Sequence, residues 1–381
     1  MKKYYRIISP LALIGFPWSI TLFLYQFKFT DNLVSLDSGL VLTFLLMSLF
    51  FVLATVIPLN RSQATVQKSA DKLDFNLNKM RSALRLLAII WFCGSILDIW
   101  YSGGLPIIWA LTGNEKNYTD FGIPSFHGLV NSVYFALMGT VFLSFKHTRN
   151  KQYLLYSSVL FLWPILMLGR GIMLSVAVQL CIISVFYSGI RLRKILFLIC
   201  LSLLAIIMFG FLGDLRGSEN PFFGIVNDEY KKSFEALPSG FLWVYIYITS
   251  PLSNLAYNYS TLTPGWEFYY SSVNLFPTFL RPSSLDRADS FIFVNEGLNV
   301  STIFASSHSD FGIAGDIIII LMLAFWTGFW FRQLNKNIAY ILPYSLVGVV
   351  LFFSIFYNLF LLYPYLFSTV LLGAIAKYIK N

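Results

Sequence analysis

His308 and Asp310, in the run SSHSDFG, carry the side chains best suited to moving a proton near neutral pH. An imidazole or carboxylate at that point can serve as general base toward a sugar hydroxyl. The structural alternative is a helix start, because Ser309 and Asp310 are good caps and acids favour helix N-termini. Asp310 fits a cap whatever else it does. His308, one of only three histidines, has less structural reason to be there.

A second set is cationic. Arg170 sits in MLGRGIML, with apolar residues on both sides and a glycine on each flank. Such an arginine either snorkels from a helix end or binds a ligand, and the glycines, which admit close approach, favour binding. Arg216, Arg281 and Arg287 fall in one polar segment on the same side of the membrane as Arg170. Guanidinium forks match phosphate oxygens and stay charged where water is scarce, so a convergence of these arginines suits a lipid pyrophosphate. Arg287 lies between Asp286 and Asp289, which favours an ion pair within the segment, although it completes the phosphate-binding set. Asp214 stands two residues from Arg216, and for Arg216 and Arg281 the functional and structural readings both stay open.

These residues must be positioned by a membrane protein. The 381 residues are 57% hydrophobic and 12% charged, with a mean hydropathy of +0.69. Soluble domains carry about 25% charged residues. The net charge of +9 does not point to nucleic acid, because the bases fall between apolar runs, where they set topology. Cys93, Cys181 and Cys200 all lie inside apolar runs, so neither a disulfide framework nor metal-ligand spacing follows. The N-terminal MKKYYR and the apolar run after it lack an A-x-A-like cleavage site and read as a retained helix.

About ten spans are expected, near 7–27, 38–59, 86–101, 127–145, 153–169, 171–189, 195–212, 311–331, 338–357 and 359–376. With the N-terminus inside, every cytoplasmic connection carries lysine or arginine, which places both termini in the cytoplasm. Residues 213–310, with ten acids and five bases, become a large extracytoplasmic loop within a single membrane domain, 1–381. The stretch 237–255, bounded by Pro238 and Pro251, reads as an interfacial or re-entrant helix, and 102–126 as a short interfacial element. His127 reads as interfacial and His147 as cytoplasmic. Asp98, Gln179 and Asn358 are the polar residues noted inside spans, too few for an ion-coupled transporter. The chain has no P-loop, GxSxG, HExxH or Asp-x-Asp pair, so neither nucleotide-activated donors nor a metal or other cofactor is expected.

Four runs, LGRGIMLS at 168–175, FLGDLRG at 211–217, LFPTFLRP at 275–282 and SSHSDFGIAG at 306–315, resemble in order and spacing the Wzy-type O-antigen and capsular polysaccharide polymerases. The resemblance implies an all-α polytopic membrane fold of the GT-C type in the bacterial inner membrane, with an extracytoplasmic cavity. It implies metal-independent glycosyl transfer between undecaprenyl-pyrophosphate-linked oligosaccharides, with membrane lipids and a chain-length regulator as further partners. Arg170, Arg216 and Arg281 match the arginines thought to hold pyrophosphate. His308 matches a histidine of the related ligases, whose usual His-Asn pairing is absent from the sequence here. An O-antigen ligase and a lipid-linked oligosaccharide flippase are the competing readings. Trp266, Tyr269 and Tyr270 either stack sugars or sit at the interface.

Overall fold

The computed structural model describes residues 7–60, 75–189, 222–277, 292–294 and 300–380, with positions 203, 206, 207, 210 and 280. Among them no strand forms; two isolated bridges, Thr30 to Val226 and Phe75 to Lys380, are the only extended pairings. The helices are α1 (Pro10–Tyr25), α2 (Ser38–Asn60), α3 (Leu77–Ser102), α4 (Pro106–Thr112), α5 (Phe126–Thr148), α6 (Lys151–Leu160), α7 (Leu162–Leu166) and α8 (Arg170–Ser188). There follow α9 (Asp228–Glu235), α10 (Gly240–Thr261), α11 (Tyr270–Leu275), α12 (Ala305–Lys336), α13 (Ile341–Phe352) and α14 (Tyr363–Ile379). By length and composition, five helical stretches among the described residues can cross a membrane: Leu77–Thr112, Phe126–Thr148, Arg170–Ser188, Ala305–Lys336 and Ile338–Ile355. The chain is a helical membrane protein.

α13 is the centre of the bundle. Every residue from Ile341 to Leu351 is buried, as befits a helix that is apolar all round. α8, α14 and α1 pack around it. A Cβ at Gly348 would meet the side chains of Ile182 and Leu13, and one at Gly373 would meet the Trp330 ring. Small residues at these contacts let helices approach closely where no water drives them together.

Two expected elements take a different form. The span expected at 153–169 is two helices, α6 and α7, broken at Phe161. Pro164 has no N–H to give the Leu160 carbonyl four residues back, and the Tyr134 hydroxyl donates to that carbonyl instead, at 3.0 Å. The short element expected at 237–255 is α10, which runs from Gly240 through Pro251 to Thr261 and buries a face against α1 and α12. The Thr249 and Ser250 hydroxyls bond back to the Tyr245 and Ile246 carbonyls beside the proline. The span expected at 195–212 falls largely outside the described residues.

α10 is also a mooring post for neighbouring segments. The Asn254 side chain receives the Val294 N–H at 2.9 Å and donates to the Val300 carbonyl at 2.8 Å. One turn on, Asn258 receives the Ile292 N–H and donates to the Ile292 carbonyl, at 2.8 and 2.6 Å. On another face Ser253 accepts from the Val34 N–H and donates to the Asn32 carbonyl. Side-chain amides thus do for these irregular segments what a neighbouring strand would do, satisfying backbone groups that are costly to bury unpaired.

Candidate functional site

The site is built on a fracture in α12. Gly312, eight residues into this helix, has φ 58° and ψ −141°, a region essentially reserved for glycine. The fracture brings the leading turn and the long helix together so closely that a Cβ at Gly315 would collide with the Ser307 carbonyl. On a straight helix, residues eight apart are separated by about 12 Å along the axis. Here they touch: His308 Nδ1 lies 2.7 Å from Asp316 Oδ2.

Asp316 is held in turn by the Ser307 hydroxyl, which donates to Oδ1 at 3.3 Å. The His308 and Asp316 side chains are 5% and 2% exposed. The His308 ring stacks on Tyr259 of α10, 5.0 Å between centroids and 26° between planes. The Tyr259 hydroxyl meets Thr43 of α2 at 2.6 Å. Two residues before the histidine, Ser306 accepts from the Asn358 side-chain amide at 3.1 Å. A carboxylate on Nδ1 fixes the tautomer with the proton there, leaving the lone pair on Nε2. Among the described residues nothing hydrogen-bonds Nε2. An imidazole fixed by a carboxylate at Nδ1, with the Nε2 lone pair not engaged, is the arrangement of a general base.

Asp310, the other candidate from the sequence, faces a different task. Its carboxylate accepts the backbone N–H groups of Tyr269, Tyr270 and Ser271 at 3.2, 2.8 and 2.9 Å. It therefore caps α11 and not the helix that follows it. Gly265 N–H donates to the Ser309 carbonyl at 3.1 Å, and the Trp266 ring meets Phe311 edge-on. The segment 264–271 is stitched along the fracture by these contacts, and it carries Trp266, which is 68% exposed. With both oxygens engaged by N–H donors, Asp310 is a fixed acceptor that ties the segment carrying Tyr269 and Tyr270 to the leading turn of α12.

Arg170 is the first residue of α8 and half-buried, and it follows a tight turn in which Leu168 takes φ 53°. Arg216, Arg281 and Arg287 lie outside the described residues. No group of three or more His, Cys, Asp or Glu that could hold a metal ion occurs among the described residues.

Asp316 is missing from the polar residues that the sequence singles out inside spans, because the apolar run 311–331 reads as a uniform helix. The signal for it is GIAGD, where two glycines precede a lone acid. His127 also gains partners the sequence does not suggest. Its Nδ1 lies 2.9 Å from Asp98 Oδ2, its Nε2 lies 2.9 Å from the Asn131 amide nitrogen, and Asp98 Oδ1 accepts the Ile123 N–H at 3.0 Å. His147 stacks edge-on against Phe75, 4.8 Å between centroids. The chain matches no family model, no curated protein and no solved structure.

Proposed function

We propose that this chain is a GT-C-like polymerase of lipid-linked oligosaccharide repeat units, with about ten spans and its site on the outer face of the bacterial inner membrane. The observation that carries the reading is the His308–Asp316 pair, buried at the fracture of α12, with Nε2 meeting no hydrogen-bonding group among the described residues. In this reading the terminal sugar hydroxyl of a new lipid-linked unit lies against Nε2. As its oxygen bonds to the anomeric carbon of the growing chain, His308 takes the proton. The bond from that carbon to the pyrophosphate oxygen breaks, and undecaprenyl pyrophosphate leaves with the electron pair. Asp316 stabilises the imidazolium that forms.

Charge developing on the leaving pyrophosphate needs cations fixed in advance, which is the work proposed for Arg170, Arg216, Arg281 and Arg287. The motif order and the arginines, kept on a side where positive-inside bias disfavours them, support the donor assignment. The exposed Trp266 and its neighbours Tyr269 and Tyr270, tied to the fracture by Asp310, offer faces on which sugar rings can stack.

The test is deletion of the gene in its source strain, followed by complementation and a gel of surface polysaccharide. A ladder that collapses to one repeat unit, restored by the wild-type gene, supports a polymerase. Long lipid-linked chains that accumulate untransferred mean a ligase, and units trapped on the cytoplasmic leaflet mean a flippase.

A further inference from the structure

Away from the fracture, α3, α5 and α14 enclose an open groove of about 630 Å³. Its size falls within the roughly 300–1,000 Å³ of ligand pockets. Along most of its length the walls are apolar, with Leu86 and Ile90 from α3, Leu129 and Val133 from α5, and Phe367 and Leu371 from α14. The two hydroxyl-bearing residues in the lining, Ser82 and Tyr378, are both at one end, near the start of α3 and the finish of α14. Lys79 stands at that end, its ammonium 5.7 Å from the centroid of the Tyr378 ring.

Helical spacing puts Lys79 on the stripe of Ser82, Ala83, Leu86 and Ile90 that faces the groove, while Arg81 falls on the far side. Lys377 and Lys380, both exposed, add positive charge at the same level. On α14 the groove runs from Phe367 to Tyr378, roughly 17 Å at 1.5 Å per residue. That is about half of a 30 Å hydrocarbon core, the depth of one leaflet. The basic end is the one that positive-inside bias assigns to the cytoplasm.

We propose that this groove is a binding site for an anionic phospholipid of the leaflet on the basic side. One acyl chain lies along the apolar walls, and the phosphate is held by the Lys79 ammonium and the Ser82 and Tyr378 hydroxyls. The chemistry at the polar end selects the occupant. A second copy of the chain has no use for a lysine with two hydroxyl groups at one terminus of an otherwise apolar surface, whereas the phosphodiester of a phospholipid fits that set. With Lys377 and Lys380 adding positive charge at the same level, a headgroup of net negative charge is favoured over a zwitterionic one, whose own ammonium the lysines repel.

The experiment uses the full chain in a nonionic detergent, with thermal unfolding followed as phosphatidylglycerol or phosphatidylcholine with identical acyl chains is added. Wild type is expected to gain several degrees more from phosphatidylglycerol than from phosphatidylcholine. Lys79→Gln is expected to lose that difference and Lys79→Arg to keep it. Ala374→Phe, which fills the groove, is expected to abolish the response to phosphatidylglycerol without changing the oligomeric mass. Equal responses to the two lipids in wild type overturn the proposal, as does an anionic preference that survives Lys79→Gln. A fall in oligomeric mass with Ala374→Phe assigns the groove to a second copy and also overturns it.

Discussion

His127 and His308 each set Nδ1 against a buried aspartate, at 2.9 Å from Asp98 and 2.7 Å from Asp316. They part company at the other nitrogen. Nε2 of His127 is met by the Asn131 amide at 2.9 Å, so the ring is closed at both ends and ties α3 to α5. Nε2 of His308 meets no hydrogen-bonding group among the described residues. The backbones differ in the same sense. His127 lies in the first turn of an unbroken helix, whereas His308 depends on the Gly312 fracture to meet its aspartate. The same pair of side chains is thus a brace in one place and, in the proposed function, a general base in the other, and the partner of Nε2 makes the difference.

The most severe break in this comparison is His308→Ala, which removes the proposed base. Chain growth is expected to fall by about 10²–10⁴-fold, measured as repeat transfer per folded protein. Asp316→Asn leaves the ring in place but weakens its orientation, and a smaller loss of roughly tenfold or more is expected. A pH–rate profile separates this from simple misfolding, because the acid limb should move only if Asp316 acts through the imidazole. His127→Ala should behave oppositely. It strands the Asp98 carboxylate and the Asn131 amide at buried positions, costing about 1–3 kcal/mol of stability, with the activity of the surviving folded protein unchanged. Gly312→Ala sharpens the backbone half of the comparison. The alanine must adopt a glycine region beside Pro264, at about 1–3 kcal/mol, and activity is expected to fall with stability because the two partners of the pair are displaced together.

The smallest effect belongs to the one shifted acid on an exposed helix. Lys231, 2.6 Å away, holds the Asp228 carboxyl below its ordinary range through a hydrogen bond and its charge. A depressed folded value means that any stabilisation is present above the unfolded value and is lost as pH falls through the folded one. Lys231 is raised by the same contact, so its share holds below its unfolded value and is lost at alkaline pH. The pair is fully solvated, and Asp228→Asn should leave the unfolding temperature at neutral pH unchanged.

Much of the helical scaffold is legible from hydropathy, because apolar runs announce helices by their length and by the absence of charge. α1, α2, α5, α8, α13 and α14 all arise where apolar runs predict helices. The site is legible only in part. His308 stands out for its chemistry, but its partner Asp316 does not, since eight residues of straight helix would put it two turns away from the histidine. Only the φ of Gly312 reveals that the chain doubles back. Asp310 reads as a cap, yet local rules cannot show that the helix it caps lies forty residues earlier in the chain. Pro251 bounds the short apolar core read within 237–255, and α10, packed against α1 and α12, continues past that stretch to Thr261.

The contrast between the two histidines is the central claim, and one paired measurement tests it. His308→Ala and His127→Ala would be expressed side by side in the deletion strain, with polysaccharide ladder length read against the amount of folded protein. The predicted result is a ladder reduced to a single repeat for His308→Ala at normal protein level, and full-length ladders for His127→Ala at reduced protein level. Full-length ladders from His308→Ala at normal protein level would contradict the claim, and the pair at the fracture would then be a brace like the other.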